Sequence, residues 1–173
     1  MLALCYNIRS YRNLFSQRKR ISYQVVKGCE KMSEVKVPIE IENAFDRRRQ
    51  ILSEISEQDV RKVSLKALAD TGSTMMVLPQ EVVEKLGLRE TGKVIVTYAD
   101  ERKEERPRAG IITVKVEDRQ TSMECVVGPP ASEPLLGHMV LEAMDLFVDC
   151  VAQKLVPRPE SPFLPLLKMK KLV

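Results

Sequence analysis

Asp70-Thr71-Gly72-Ser73 places a carboxylate, two hydroxyls and a glycine in one short stretch, with apolar runs on both sides. Val63-Ser64-Leu65-Lys66-Ala67-Leu68-Ala69 precedes it. Met75, Met76, Val77 and Leu78 follow, and Pro79 then opens a helix-like stretch from Gln80 to Leu88. A carboxylate set between two apolar runs is costly to ionise unless its neighbours compensate. These neighbours can: Thr71 and Ser73 offer hydroxyls, and Gly72 lets the backbone turn tightly and approach the carboxylate. Taken alone, the tetrapeptide also fits a strand-to-helix turn with a polar cap. A second motif follows, Pro134-Leu135-Leu136-Gly137, leading into Met139, Leu141, Met144 and Leu146 at helical spacing.

Other chemistries find little support. Cys5, Cys29, Cys125 and Cys150 show no CxxC spacing and His138 is the single histidine, which speaks against a zinc site. The cysteines read as free thiols in a reducing compartment, hence a cytoplasmic location. Nothing in the spacing sets a nucleophile beside His138 with an orienting acid, so His138 reads as structural. Met75 and Met76 read as core or pocket wall. No phosphate-binding glycine-rich loop is present.

The elements that must hold the tetrapeptide are mostly strands. Val35, Val37, Ile39 and Ile41 alternate with polar residues and with Pro38, which marks an edge strand. Ala44 to Val60 is charged and reads as a loop with a possible helical turn. Val63 to Ala69 is the strand feeding Asp70. Val94, Val96 and Tyr98 alternate again, and the charge run Glu101 to Arg108, with Pro107, reads as a hairpin tip. Ile111 to Val116 and Met123 to Val127 are further strands joined by Glu117-Asp118-Arg119. Many short strands and one short C-terminal helix indicate a small closed β-fold.

Composition divides the chain. Residues 1–31 hold seven Lys/Arg and one acid, so the net +4 of the 173 residues leaves residues 32–173 acidic by two charges. That weakens a nucleic-acid role for the folded part. The basic N-terminal extension 1–31 reads as a disordered segment or as an over-extended start ahead of Met32. Residues 32–157 form the domain, and 158–173 a Pro-rich, basic, mobile tail. The 44% hydrophobic content supports a core, mostly aliphatic because Trp is absent. No window approaches the roughly 20 apolar residues of a membrane span.

The two motifs together resemble the single-domain, retropepsin-like aspartic proteases. The similarity runs from about Val35 to Pro157, and includes Tyr98-Ala99-Asp100 and the closing Leu146-Phe147-Val148-Asp149 and Lys154-Leu155-Val156-Pro157. It is closer to small uncharacterised bacterial members than to the viral enzymes. The resemblance implies a mostly β, small closed barrel with one short C-terminal helix, acting as a homodimer on a peptide or protein substrate. It implies no metal or organic cofactor. Asp70 would be catalytic. Because the chain has one Asp-Thr-Gly, its partner carboxylate would be Asp70 of a second copy across a twofold axis. Asp100, Asp145 and Asp149 lack the Thr-Gly context.

The resemblance also implies supporting roles. Thr71 would brace the two loops, Gly72 would aim its amide at the carboxylate, and Ser73 would donate to an oxygen of Asp70. Leu136 and Gly137 would back the loop, and Tyr98 and Gly110 would bracket a closing flap. The chain departs from the viral pattern in two places: its flap lacks the glycine-rich tip, and His138 and Thr74 stand where viral members carry a paired Arg and acid. A rival reading is a non-catalytic peptide-binding or assembly module on the same fold.

Overall fold

The computed structural model describes residues 34–98 and 100–166, so the extension expected at 1–31, Ala99 and the end of the tail lie outside the described residues. Period-two patterning builds most of the fold. Strand β1 (Lys36–Asn43) buries Val37, Ile39 and Ile41 on one face and pairs antiparallel with β2 (Lys62–Asp70). It also pairs with β5 (Lys103–Val116), but only from Glu40 to Asn43. Pro38 therefore sits where β1 has β2 alone as a neighbour, in keeping with an edge position.

Strand β3 (Met76–Pro79) runs parallel to β6 (Arg119–Gly128), and β6 runs antiparallel to β5. The three-residue β7 (Leu135–Gly137) enters between β2, to which it is parallel, and β3, to which it is antiparallel. The order β1-β2-β7-β3-β6-β5 closes through β1–β5 into a six-stranded barrel, and β4 (Arg89–Thr97) extends from β5 as a hairpin arm. Closure removes the open sheet edges. Ile41, Met76, Leu78, Ile112, Val114, Leu136 and Val140 fill the interior. Each such side chain contributes about 1.5–3 kcal/mol by leaving water. The Cys125 thiol lies among them, and burial pushes its pKa up to about 12, so it packs as a small hydrophobe.

The expected C-terminal helix is α3 (His138–Ala143), and among the described residues two further short α-helices and a 3-10 turn at Glu57–Asp59 accompany it. Helix α1 (Ala44–Ile51) lies where the sequence suggests a loop with a helical turn. Asn43 caps it, its Oδ1 accepting from the amides of Phe45 and Asp46 at 2.9 and 3.2 Å. Asp46 is buried beneath the Arg61 guanidinium, whose hydrogen bonds hold its carboxyl below the usual range. Helix α2 (Gln80–Lys85) stops two residues short of Gly87, which takes φ +57°. After α3, β8 (Leu146–Asp149) and β9 (Lys154–Pro157) form a separate hairpin. The segment beyond Arg158 reads from sequence as a loose tail, yet Ser161 is buried and the backbone keeps contact with the body as far as Leu166. Among the described residues no helix is long and apolar enough to cross a membrane.

Candidate active site

Asp70 is the last residue of β2 and is half-buried. Three β-ladder pairs beside β7 carry it there: Leu68 with Leu135, Ala69 with Leu136 and Asp70 with Gly137. The chain then turns through Thr71 and Gly72, with the Ser73 amide donating to the Asp70 carbonyl at 3.2 Å. The Gly72 amide donates to Asp70 Oδ1 at 2.9 Å. Asp70 Oδ2 has no hydrogen-bond partner among the described residues. The carboxylate thus has one oxygen fixed by the loop and one open.

Ser73 departs from expectation. Its hydroxyl donates to the Met75 carbonyl at 3.0 Å and not to Asp70. The reason is local: a Ser side chain two residues before a carbonyl closes a short turn at little entropic cost, and that bond competes with longer reaches. The Thr71 side chain is exposed and makes no hydrogen bond among the described residues.

The loop is held from behind by the second motif. Leu136 is fully buried in the barrel. The amides of His138 and Met139, in the first turn of α3, donate to the carbonyls of Ser73 and Thr74 at 2.8 and 3.2 Å. The His138 ring adds Nδ1 at 3.2 Å from the same Ser73 oxygen, a contact that requires the proton on Nδ1. His138 is therefore a brace for the loop, as the structural reading of the sequence expects. Asp70, Thr71, Gly72, Ser73, Leu136 and Gly137 are brought together.

Tyr98 and Gly110 are not. Tyr98 lies at the tip of the β4–β5 arm, where its amide donates to the Arg102 carbonyl at 2.9 Å. Gly110 lies at the base, across the ladder from Arg89. The two do not bracket the flap. Nor do Lys103 to Arg108 form its tip, because they are strand residues, paired with Thr97 to Gly92. Strand-poor charged residues are kept in β-structure by cross-strand pairing such as Lys93 with Glu105.

A chain of polar contacts that sequence reasoning missed ties the tip to the barrel. The Tyr98 hydroxyl donates to Glu104 at 2.8 Å, Arg106 donates to Glu104 at 3.0 Å, and Arg106 Nε donates to the Val127 carbonyl of β6 at 3.0 Å. The hydrogen bond from Tyr98 holds the Glu104 carboxyl below its ordinary range, and the same bond raises the Tyr98 phenol. The alternation of Glu104, Arg106 and Arg108 on one strand face is the signal that could have found this line.

The other acids considered as partners for Asp70 are engaged elsewhere. Asp100 bonds to Arg102 within the arm turn. Asp149 Oδ1 accepts from Val151 and Ala152 in the β8–β9 turn. Asp145 is buried against Ser161 and Arg158. Among the described residues no group of three His, Cys, Asp or Glu side chains is placed to hold a metal. A depression of about 300 Å³ lined by Asn43, Asp46, Arg49, Arg61 and Arg89 lies at the far end of the β1–β2 pair from Asp70. Arg61 is spent on Asp46 and Arg49 on Glu54, so it does not rival the Asp70 loop as a centre for chemistry.

Residues 56–143 match the family described as "gag-polyprotein putative aspartyl protease". No curated protein sequence matches the chain. Among solved structures, the EIAV protease complexed with the inhibitor HBY-793 is similar at 15% identity, over 70% of this chain and 92% of that one, with a TM-score of 0.46. The foamy viral protease-reverse transcriptase in complex with an RNA/DNA hybrid is similar at 12% identity, over 62% of this chain and 11% of that one, with a TM-score of 0.42. The family match spans half of the chain and contains both motifs, the Asp70 loop and Leu136-Gly137. The chain belongs to this aspartyl protease family, with a retropepsin-like fold.

Proposed function

We propose that the protein is a homodimeric aspartic endopeptidase in which Asp70 of each copy faces the other across a twofold axis. The observation that carries this reading is the state of the Asp70 carboxylate within the family's region: Oδ1 is fixed by the Gly72 amide and Oδ2 has no hydrogen-bond partner among the described residues. In the dyad one carboxylate, ionised, activates a water. The other stays protonated because two like charges about 3 Å apart do not both ionise, and it donates to the scissile carbonyl. The exposed Thr71 hydroxyl is available to bond across the dyad, and the engagement of Asp100, Asp145 and Asp149 elsewhere favours a second copy as the source of the partner.

The substrate is an extended peptide covered by the β4–β5 arms, with apolar residues flanking the cut, as the aliphatic surroundings of the loop favour. The chemistry needs no metal or organic cofactor. A cytoplasmic location fits the buried Cys125 thiol, and the acidic balance of residues 32–173 favours neither nucleic acid nor an anionic membrane as partner.

The test is incubation of the wild type and Asp70→Asn, each at high concentration, with a complex peptide mixture, reading new termini by mass spectrometry from acidic to neutral pH. Termini made by the wild type alone support the endopeptidase. Identical digests from a dimer verified by light scattering would replace it with a non-catalytic peptide-binding or assembly module.

A further inference from the structure

Arg119 opens β6 and its side chain is almost wholly buried. A buried guanidinium is expensive unless its donors are used. One nitrogen, Nη1, donates to the carbonyls of Met144 at 2.5 Å and Asp145 at 3.0 Å, and Nη2 donates to the Ser161 carbonyl at 2.6 Å. The first two acceptors are the C-cap residue of α3 and the residue after it, where carbonyls lack partners within the helix. The third belongs to the segment after Arg158. Arg119 thus caps α3 from outside and holds the C-terminal segment with the same group.

Asp145 completes the joint from the other side. It has φ +53° at the exit of α3, and its carboxylate is buried. It accepts from the Ser161 hydroxyl, from the Leu166 amide at 3.1 Å and from Arg158 Nε at 2.8 Å, and Arg119 Nη1 stands 3.9 Å away. Four groups from two distant parts of the chain converge on one carboxylate. This is a buried polar node in which Arg119 Nε is left without a hydrogen-bond partner among the described residues, unlike the solvated run expected of a Pro-rich tail.

The other end of the same helix holds the Asp70 loop. Helix α3 has six residues; its first turn donates to Ser73 and Thr74, and the two carbonyls just past its end, of Met144 and Asp145, are held by Arg119. We propose that residues 158–166 are a strap that positions the Asp70 loop through the Arg119–Asp145–Ser161 node and helix α3. The strap lies beyond the family's matched region, which ends at 143. Arg119, Asp145 and Ser161 are positioning residues: they touch neither Asp70 nor its loop, and they act by fixing where α3 begins. Their effect on cleavage rests on the proposed role of Asp70, but their effect on the loop does not.

The test uses the full chain carrying Ser161→Ala, with Ser161→Thr as the conservative control, which keeps the hydroxyl. Arg158→Ala, a change at an exposed side chain, is the milder variant should Ser161→Ala not fold. The first readout is amide hydrogen exchange. Ser161→Ala is expected to speed exchange at His138 and Met139 about tenfold or more while Val114 and Thr121 in the barrel wall stay as in the wild type. Ser161→Thr should restore protection. The second readout is peptide cleavage, where kcat falls several-fold with KM little changed. Unchanged exchange at His138 and Met139, or an equal rise throughout the barrel, overturns the strap as a positioning device. Because exchange needs no activity, a wild type that cleaves nothing would sink the protease reading and leave the strap to be decided by exchange alone.

Discussion

Gly137 presses its backbone against that of Met75. A Cβ on Gly137 would stand 2.7 Å from the Met75 carbonyl carbon and 2.9 Å from the Ser73 carbonyl oxygen, both backbone atoms. Neither can yield without moving the loop that carries Asp70. The position therefore demands glycine because of close approach and not because of its own dihedral angles.

Gly137→Ala should accordingly displace the loop. The expected outcome is a loss of about 2–4 kcal/mol in stability, in the range of overpacking with backbone strain. Cleavage should be absent even at temperatures where the fold persists. Denaturant unfolding beside a peptide assay checks both.

Leu136 tests the packing half of the same support. It is fully buried between the strands that carry the loop. Leu136→Ala should cost about 2–5 kcal/mol through lost burial and the cavity left behind. The denaturation midpoint should fall with an unchanged slope.

Arg106 should matter to substrate more than to stability. Its side chain is only 18% exposed, and it joins Glu104 to the Val127 carbonyl at the root of the arm. Arg106→Ala frees the arm without opening the core, so stability should change by about 1 kcal/mol or less. KM for peptide should rise several-fold because a looser arm must be ordered on each binding event. An unchanged KM would detach the arm from substrate.

Dilution offers a separate check on the dyad. If each active site needs two copies, then well below the dimer dissociation constant the specific activity should drop by about half for each twofold dilution. A genetically tethered pair should be immune. Activity independent of concentration in a demonstrated monomer would eliminate the shared site.

Asp145 supplies a pH prediction. The Ser161 hydroxyl foremost, then the Leu166 amide, Arg158 and Arg119, hold its carboxyl below the ordinary carboxylate range. A depressed folded value means that the stabilisation is fully present above the unfolded pKa and is lost as pH falls through the folded one. Wild type and Asp145→Asn should therefore differ most in melting temperature at neutral pH. The gap should close below about pH 4, under the unperturbed Asp value. A gap that widened on acidification would contradict the direction of the shift.

How much of this was legible in the sequence depends on distance along the chain. Val37, Ile39 and Ile41 announce β1 by alternation, and Val63 to Ala69 announces β2, because period-two burial is written residue by residue. The two motifs were legible as types, and their meeting was implied only by the resemblance. Asn43 ahead of Ala44 was a capping signal that the charged composition of α1 obscured. Lys103 to Arg108 looked like a loop because charged residues disfavour strands in isolation, whereas the partner strand supplies their pairing. The Arg119 node was illegible: its members lie 26 and 42 residues apart from Arg119 to Asp145 and Ser161, with no local pattern to join them. The Ser73 hydroxyl went to Met75 because the nearest acceptor is set by the turn itself and not by the residue types.

The late arrival of β7 has a consequence for biosynthesis. Asp70 is made early, but the strand that seats it is Leu135–Gly137, and the carbonyls of its loop wait for amides at 138 and 139. A nascent chain growing from the ribosome carries the acid long before it carries the seat. Closing that gap requires a long-range contact, which is slow to form compared with hairpins such as β5–β6. A chain being synthesised therefore emerges without an assembled acid site, and a premature truncation before 135 leaves an Asp-Thr-Gly with nothing to hold it in place.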